Sequence, residues 1–157
     1  LNNVRNLEPS EGYKKAIELM REQESGTVFS HYTRGEYISY FGRINFMDEN
    51  TFYARNVDSR MKDSTRLLHA KSLQTITSII NKHNIKYILL DKKLIEQLWG
   101  RKETELILFL KYSPTNFKKV FDNGDVLIYE YIKESWGNNL FNELLVLVTT
   151  ICYTINN

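Results

Sequence analysis

Lys86-Tyr87-Ile88-Leu89-Leu90-Asp91 is the clearest strand in this sequence and the stretch on which the fold turns. A strand that is apolar at successive positions buries both of its faces, as strands of a helix-covered parallel sheet do. It stops at Asp91, which stands before Lys92-Lys93-Leu94 as the N-cap of a short helix over 92–99. A second short helix is expected over 104–112. Beyond it, Phe117–Phe121 and Val126–Tyr131 flank Asp122-Asn123-Gly124-Asp125, and Asn-Gly suits the two positive φ angles of a type I′ turn. These two strands predict a β-hairpin.

Upstream, Ser10-Glu11 opens a helix with a serine cap, an acidic first turn and apolar Tyr13, Ala16, Ile17 and Met20 at helical spacing. It is expected to end near Gly26. Thr27-Val28-Phe29-Ser30 follows as a short buried strand. Thr33 and Glu36 have the spacing of a capping box before a short helix that stops at Gly42. Ile44-Asn45-Phe46-Met47 predicts another strand, ending at Asp48. Residues 49–62 show no clean period and are expected to form a loop. Asp63-Ser64 opens a helical stretch, with a break, that runs through Leu73, Ile76, Ile79 and Ile80 to Asn84. The order predicts an α/β fold: a helix-covered, mostly parallel, Rossmann-like sheet closed by a C-terminal antiparallel β-hairpin.

At 157 residues the chain fits one domain with a real core, and its 42% hydrophobic content is too high for disorder. Lys and Arg number 21 against 19 Asp and Glu, and the basic pairs are scattered, which argues against nucleic acid as a partner. A single cysteine, Cys152, excludes an internal disulfide or a thiolate metal cluster, and His31, His69 and His83 lack metal-ligand spacing. The sequence begins at Leu1 with no signal peptide, so a piece of a longer protein is expected. Two parts are expected: an α/β domain over 1–133 and a hydrophobic tail over 134–157. The tail reads as a docked helix or a membrane-proximal segment, since Leu144-Leu145-Val146-Leu147-Val148 belongs to an apolar run short of a bilayer span.

No phosphate loop or nucleophile elbow is present. In open sheets, ligands sit beyond the carboxyl ends of strands, which here carry His31, then Asp48 and Glu49, then Asp91. His31, Asp48 and Asp91 therefore form one candidate site, for a nucleotide or a divalent metal in a free-standing binding module. The competing reading makes these residues helix caps. Arg55 and Arg60 could grip an anion, against a solvated loop of ion pairs. Tyr37, Tyr40 and Phe41 could form an aromatic shelf, against the core side of a short helix.

The text Thr27-Val28-Phe29-Ser30-His31-Tyr32-Thr33-Arg34-Gly35-Glu36-Tyr37-Ile38, followed by Ile44–Asp48, resembles the start of the extracytoplasmic domain of polytopic GT-C membrane glycosyltransferases. So do Ile85–Asp91 and the hairpin text from Phe117 to Glu130. The likeness spans about residues 8–133. In oligosaccharyltransferases the corresponding junction carries Trp-Trp-Asp-Tyr-Gly, which recognises the acceptor sequon. Against it stand His31, Tyr32, Thr33, Arg34 and Gly35, where only Gly35 is identical and Thr33 replaces the aspartate.

The resemblance implies an extracytoplasmic, non-catalytic or acceptor-facing domain of a membrane-attached transferase. Its donors would be lipid-linked sugars, and its partners the membrane region of the same polypeptide, the donor and the acceptor. No cofactor is implied within these residues. The catalytic carboxylate and the divalent metal of such enzymes lie in the membrane region. On this reading no residue here is catalytic, and His31, Tyr32, Thr33, Arg34, Gly35 and Tyr37 are the substrate-binding candidates, with aromatic faces to stack and an arginine fork for an anion.

Overall fold

The computed structural model describes residues 10–40, 44–47, 56–100 and 102–133, without the side chains of Thr33 and Glu36. Gly42, Asp48, Glu49, Arg55 and the tail 134–157 lie outside the described residues.

Helix α1 (Glu11–Glu22) begins as its sequence dictates: Ser10 Oγ accepts from the Tyr13 N–H at 3.2 Å. Tyr13, Ala16, Ile17 and Met20 form its buried stripe. The helix ends at Glu22, earlier than Gly26, because Gly26 is not its stop signal. A Cβ on Gly26 would lie 2.5 Å from the Lys86 Cβ, so this glycine lets the chain enter β1 (Thr27–Phe29) close against β2 (Ile85–Asp91). A 3-10 turn over Tyr32–Arg34 and helix α2 (Gly35–Tyr40) follow. The strand expected over 44–47 is reduced to a single parallel bridge, Val28 to Asn45, held by Val28 N–H to Ile44 O and Phe46 N–H to Val28 O at 2.8 Å each.

Helix α3 (Val57–Leu68) starts six residues before Asp63, in the stretch expected to be loop. Its buried residues are only Asp63, Leu67 and Leu68, so one member of the inward face is a charged residue that a hydrophobic period cannot register. After the break, α4 (Leu73–Lys82) is capped by Ser72. The rest follows the sequence closely: α5 (Lys92–Leu98), α6 (Glu105–Tyr112), β3 (Phe117–Asp122) and β4 (Val126–Tyr131).

The sheet has the order β1-β2-β4-β3. Only β1 and β2 pair in parallel; β2 with β4 and β4 with β3 are antiparallel. The mostly parallel sheet expected above is thereby corrected to a mixed one. The apolar run of β2 reflects its central place between two helical layers, and a central antiparallel strand covered on both faces has the same hydropathy as a parallel one. Tyr87 and Leu89 pack with α1, α2, Val126 and Ile128 on one face. Ile88 and Leu90 pack on the other with α3, α4 and α6.

The β3–β4 connection is not the expected type I′ turn. Gly124 takes the left-handed conformation, φ 84°, but Asn123 does not. Instead Asn123 Oδ1 accepts from the N–H groups of Asp125 (3.1 Å) and Val126 (2.9 Å), and its Nδ2 donates to Gly12 O at 2.9 Å. A Cβ on Gly12 would lie 2.8 Å from Asn123 Nδ2. The turn therefore docks on the first turn of α1 because position 12 carries no side chain, and this contact walls the cleft described next.

Candidate functional site

β1 and β2 run parallel, so their carboxyl ends open on the same edge, and the residues just after them meet there. After β1 the chain turns sharply. Ser30 is buried and its hydroxyl donates to Asn45 Oδ1 at 3.1 Å, which ties the end of β1 to the bridge strand. Arg34 N–H returns to His31 O at 2.9 Å, closing the 3-10 turn. Gly35 has ordinary right-handed helical angles (φ −59°, ψ −38°), so its backbone does not require glycine.

After β2, Asp91 performs two tasks at once. Its Oδ1 accepts from the Leu94 N–H at 2.7 Å and caps α5. Its Oδ2 accepts from Arg34 Nε at 3.2 Å across 57 positions of sequence. The two residues are at most about a quarter exposed, so the pair is less screened than a surface bridge. Asp91 is thus both a helix cap and the ion-pair partner of Arg34.

The Arg34 guanidinium lies over the Tyr13 ring, Cζ 5.7 Å from the centroid. Tyr37 meets the same ring edge-on at 6.5 Å. His31 is stacked at a tilt on Tyr32, centroids 4.5 Å apart. Burial lowers the affinity of His31 for a proton, Asp91 opposes that, and Arg34 adds to it; the net result is an imidazole held below its ordinary range. Tyr13 is 3% exposed and its hydroxyl has no hydrogen-bond partner among the described residues. Burial chiefly, eased by Arg34 and reinforced by Asp91, pushes its ionisation well above the usual phenol range.

Sequence reasoning treated the His31–Tyr37 turn and the His31–Asp91 edge as alternatives. The geometry brings one residue of each together, Arg34 and Asp91, in a cleft of about 450 Å³ lined also by Ser10, Tyr13, Lys92 and Asp125 among others; His31, Tyr32 and Tyr37 lie outside that lining. Tyr32 is 37% exposed. Asp48 lies outside the described residues, as do Arg55 and Phe41. Tyr40 is 84% exposed, whereas Tyr37 packs edge-on against Tyr13. Arg60 is a clip: its Nη1 donates to Phe46 O at 3.1 Å and its guanidinium lies over the Phe46 ring. Among the described residues no group of three His, Cys, Asp or Glu side chains could hold a metal.

Tyr13 was missed as a site residue, because in the sequence it is one apolar position of an amphipathic helix, and nothing in that pattern says its hydroxyl lacks a partner. A larger cleft of about 710 Å³ lies between α5, α6 and the β3–β4 pair. There Glu103 pairs with Lys111 at 2.6 Å and with Tyr112, and Lys119 pairs with Asp122 at 2.8 Å, so its polar groups already satisfy one another.

Asp91→Ala removes both a cap and the Arg34 partner. The expected cost is about 1–2 kcal/mol, while Asp91→Asn, whose side-chain oxygen can still cap, should cost less. Urea unfolding of the two variants checks this; equal costs would mean that the cap contributes nothing.

Among the described residues no helix is long and apolar enough to cross a membrane. No protein-family model and no curated protein sequence matches the chain. Several solved structures match it, among them two that share its fold. One is a crystal structure of the C-terminal globular domain of oligosaccharyltransferase from Archaeoglobus fulgidus, with a TM-score of 0.63 and 17% identity. That match covers 80% of this chain and 100% of that domain. The other, also a C-terminal globular domain of oligosaccharyltransferase from Archaeoglobus fulgidus, gives a TM-score of 0.54 and 19% identity, covering 81% and 99%. The resemblance read in the sequence therefore holds at the level of the fold.

Proposed function

We propose that this chain is the acceptor-facing, extracytoplasmic domain of a membrane glycosyltransferase that draws on lipid-linked sugar donors, with the catalytic centre in a membrane region of the same polypeptide. One observation carries the reading. The fold covers the whole of a solved oligosaccharyltransferase globular domain, and the strand-to-helix junction where the sequence resembles that family contributes Arg34 to a cleft. Among the described residues the cleft offers binding groups, with Arg34 as its guanidinium. His31, Tyr32 and Tyr37, in the same turn and the helix after it, supply aromatic faces, the means by which a protein orients a polar acceptor. Thr33 and Gly35 complete the turn. A divalent metal would belong to the membrane region.

The test uses the native protein in membranes of its host. Tyr32→Ala should reduce sugar transfer from a polyprenyl-linked donor about tenfold, which is the loss of roughly 1.4 kcal/mol of binding. The melting temperature of the purified chain should stay the same, since Tyr32 is partly exposed and lies outside both core clusters. Unaltered transfer removes the turn from acceptor contact. A native protein released from membranes by alkali overturns the membrane-enzyme reading.

A further inference from the structure

Asn123-Gly124 is the one Asn-Gly step in the sequence, and such a step is open to a reaction that needs no enzyme. A backbone nitrogen can attack the side-chain carbonyl carbon of the asparagine before it, and a glycine at that nitrogen carries no side chain to shield it. Both residues are exposed, and a Cβ on Gly124 would meet nothing within 4 Å.

The folded turn holds the reacting groups away from each other. Asn123 Oδ1 accepts from the Asp125 and Val126 N–H groups while Nδ2 donates to Gly12 O, so both ends of the amide are fixed. The Gly124 N–H donates to Asp122 Oδ1 at 3.1 Å. To attack, that nitrogen must give up its proton, and a carboxylate beside it opposes the negative charge that results. Lys119, 2.8 Å from Asp122 Oδ2, holds this carboxyl below its ordinary range and so keeps it ionised.

The docked turn is equally unsuited to the product. Aspartate at position 123 has no N–H to give Gly12 O and sets an oxygen against that carbonyl, with the carboxylates of Asp122 and Asp125 close in sequence. Isoaspartate also lengthens the main chain of a tight turn. The fit leaves little room to adjust, since a Cβ on Gly12 would lie 2.8 Å from Asn123 Nδ2 and 3.0 Å from Asp125 Oδ2. Displacement reaches α5 and the cleft, because Asp125 O accepts from the Lys92 N–H at 2.8 Å and Asp125 lines the cleft wall.

We infer that Asn123 is a deamidation site guarded by α1, and that its modification releases the β3–β4 turn from α1 and withdraws Asp125 from the cleft wall. In the step, Gly124 N bonds to Asn123 Cγ, the Cγ–Nδ2 bond breaks, and Nδ2 leaves as ammonia with the proton from Gly124 N. Water then opens the succinimide to aspartate or isoaspartate. Only molecules whose turn has opened react, so the rate reports that local opening. The latch is independent of what the cleft binds, and so of the function proposed above.

The experiment incubates the purified 157-residue chain at mildly alkaline pH and follows residue 123 by peptide mass mapping, with isoaspartyl methyltransferase labelling for the isomer. Asn123 in the native chain should deamidate at least about tenfold more slowly than in the same chain unfolded in guanidinium chloride. Gly12→Ala should bring the rate close to the unfolded one. Ser10→Ala, which removes the cap of α1 without crowding the turn, should raise the native rate about fivefold. A native rate equal to the unfolded one overturns the guard, as does a folded Gly12→Ala that reacts like the parent. If circular dichroism shows Gly12→Ala unfolded, an unchanged rate in Ser10→Ala overturns it instead. Asn123→Asp supplies the product directly. Its Lys92 amide should exchange hydrogen about tenfold faster than in the parent, while the amides of α4 exchange as before. Equal exchange at Lys92 means that the product stays docked and overturns the release. Faster exchange throughout the chain means a global loss of stability in place of a latch, and overturns it too.

Discussion

Phe29→Ala is expected to destabilise the chain by about 3–5 kcal/mol, among the largest effects a single substitution can have here. Phe29 is fully buried at the end of β1, opposite Ile88 in the parallel register. Its ring packs on Phe46 with centroids 5.7 Å apart, and Phe46 belongs to the segment that bridges to Val28. Truncation removes the transfer energy of a benzyl group and leaves a cavity between two helices and an edge strand. Against a typical total of 5–15 kcal/mol that loss leaves a marginal fold, with a melting temperature lower by on the order of 10 °C. Urea unfolding with Phe29→Leu as the milder control measures it. β1 is only three residues long, so hydrogen exchange supplies the second readout. Faster exchange at Val28 and Arg34 alone would mean that the edge strand opens locally; faster exchange throughout would mean that Phe29 supports the global core. A cost below about 1 kcal/mol would show that Phe46 refills the space and that β1 is not anchored through this ring.

That anchor explains why the site is where it is. The turn from His31 to Arg34 is held in part by what precedes and faces it. Ser30 ties it to Asn45, Phe29 fixes the strand beneath, and Asp91 reaches over from the next strand. A parallel pair at this edge is indispensable, since only parallel neighbours bring two carboxyl ends together. The antiparallel β4 leads away from the edge, but the turn before it, docked on Gly12, contributes Asp125 to the wall.

How much of this was legible depends on which physics the sequence encodes locally. Ser10 and Asp91 each accept the predicted kind of cap bond, because an N-cap is a contact three residues long. The strand over Val126–Tyr131 lies at its expected bounds, because alternation and turn residues are local as well. Strand direction was not legible. The hydropathy of β2 records burial on two faces and is silent on whether β4 runs with it or against it. Gly26 misled because a glycine after a helix usually ends it, whereas here the demand for no side chain comes from Lys86, sixty residues on. The Arg34–Asp91 bond and the orphaned Tyr13 hydroxyl are likewise tertiary facts. Sequence could place His31 and Asp91 at strand ends, but it could not show that Arg34 and Asp91 share a cleft with a helix that precedes both.

Asp63 shows the same limit most sharply, and its removal is the second large effect expected. It sits in the inward face of α3 at 4% exposure, where a carboxylate survives only if its charge is answered. Oδ2 receives Lys82 Nζ at 2.6 Å and His83 Nε2 at 2.8 Å, and Arg66 approaches Oδ1 at 3.5 Å. These bonds join α3 to the end of α4, and His83 in turn packs edge-on against Phe46 at 4.7 Å. Asp63→Ala should cost about 3 kcal/mol, because it strands His83, whose side chain is only 15% exposed. Lys82→Ala should cost less than about 1 kcal/mol, since a side chain 55% exposed gains little from the pairing. The pH dependence separates charge from shape. Burial by itself would raise the Asp63 carboxyl, but the Lys82 and His83 hydrogen bonds overcome it and hold the group below the ordinary aspartate range. A native value below the unfolded one means that the stabilisation is complete above the unfolded value, about 3.9, and is lost as pH falls through the native value. The stability gap between the parent chain and Asp63→Asn should therefore be full at neutral pH and shrink only below about pH 4. A gap that stays constant into acid would assign the role of Asp63 to its shape and hydrogen-bond geometry, and would remove the ion pair from the account of how α3 and α4 are joined.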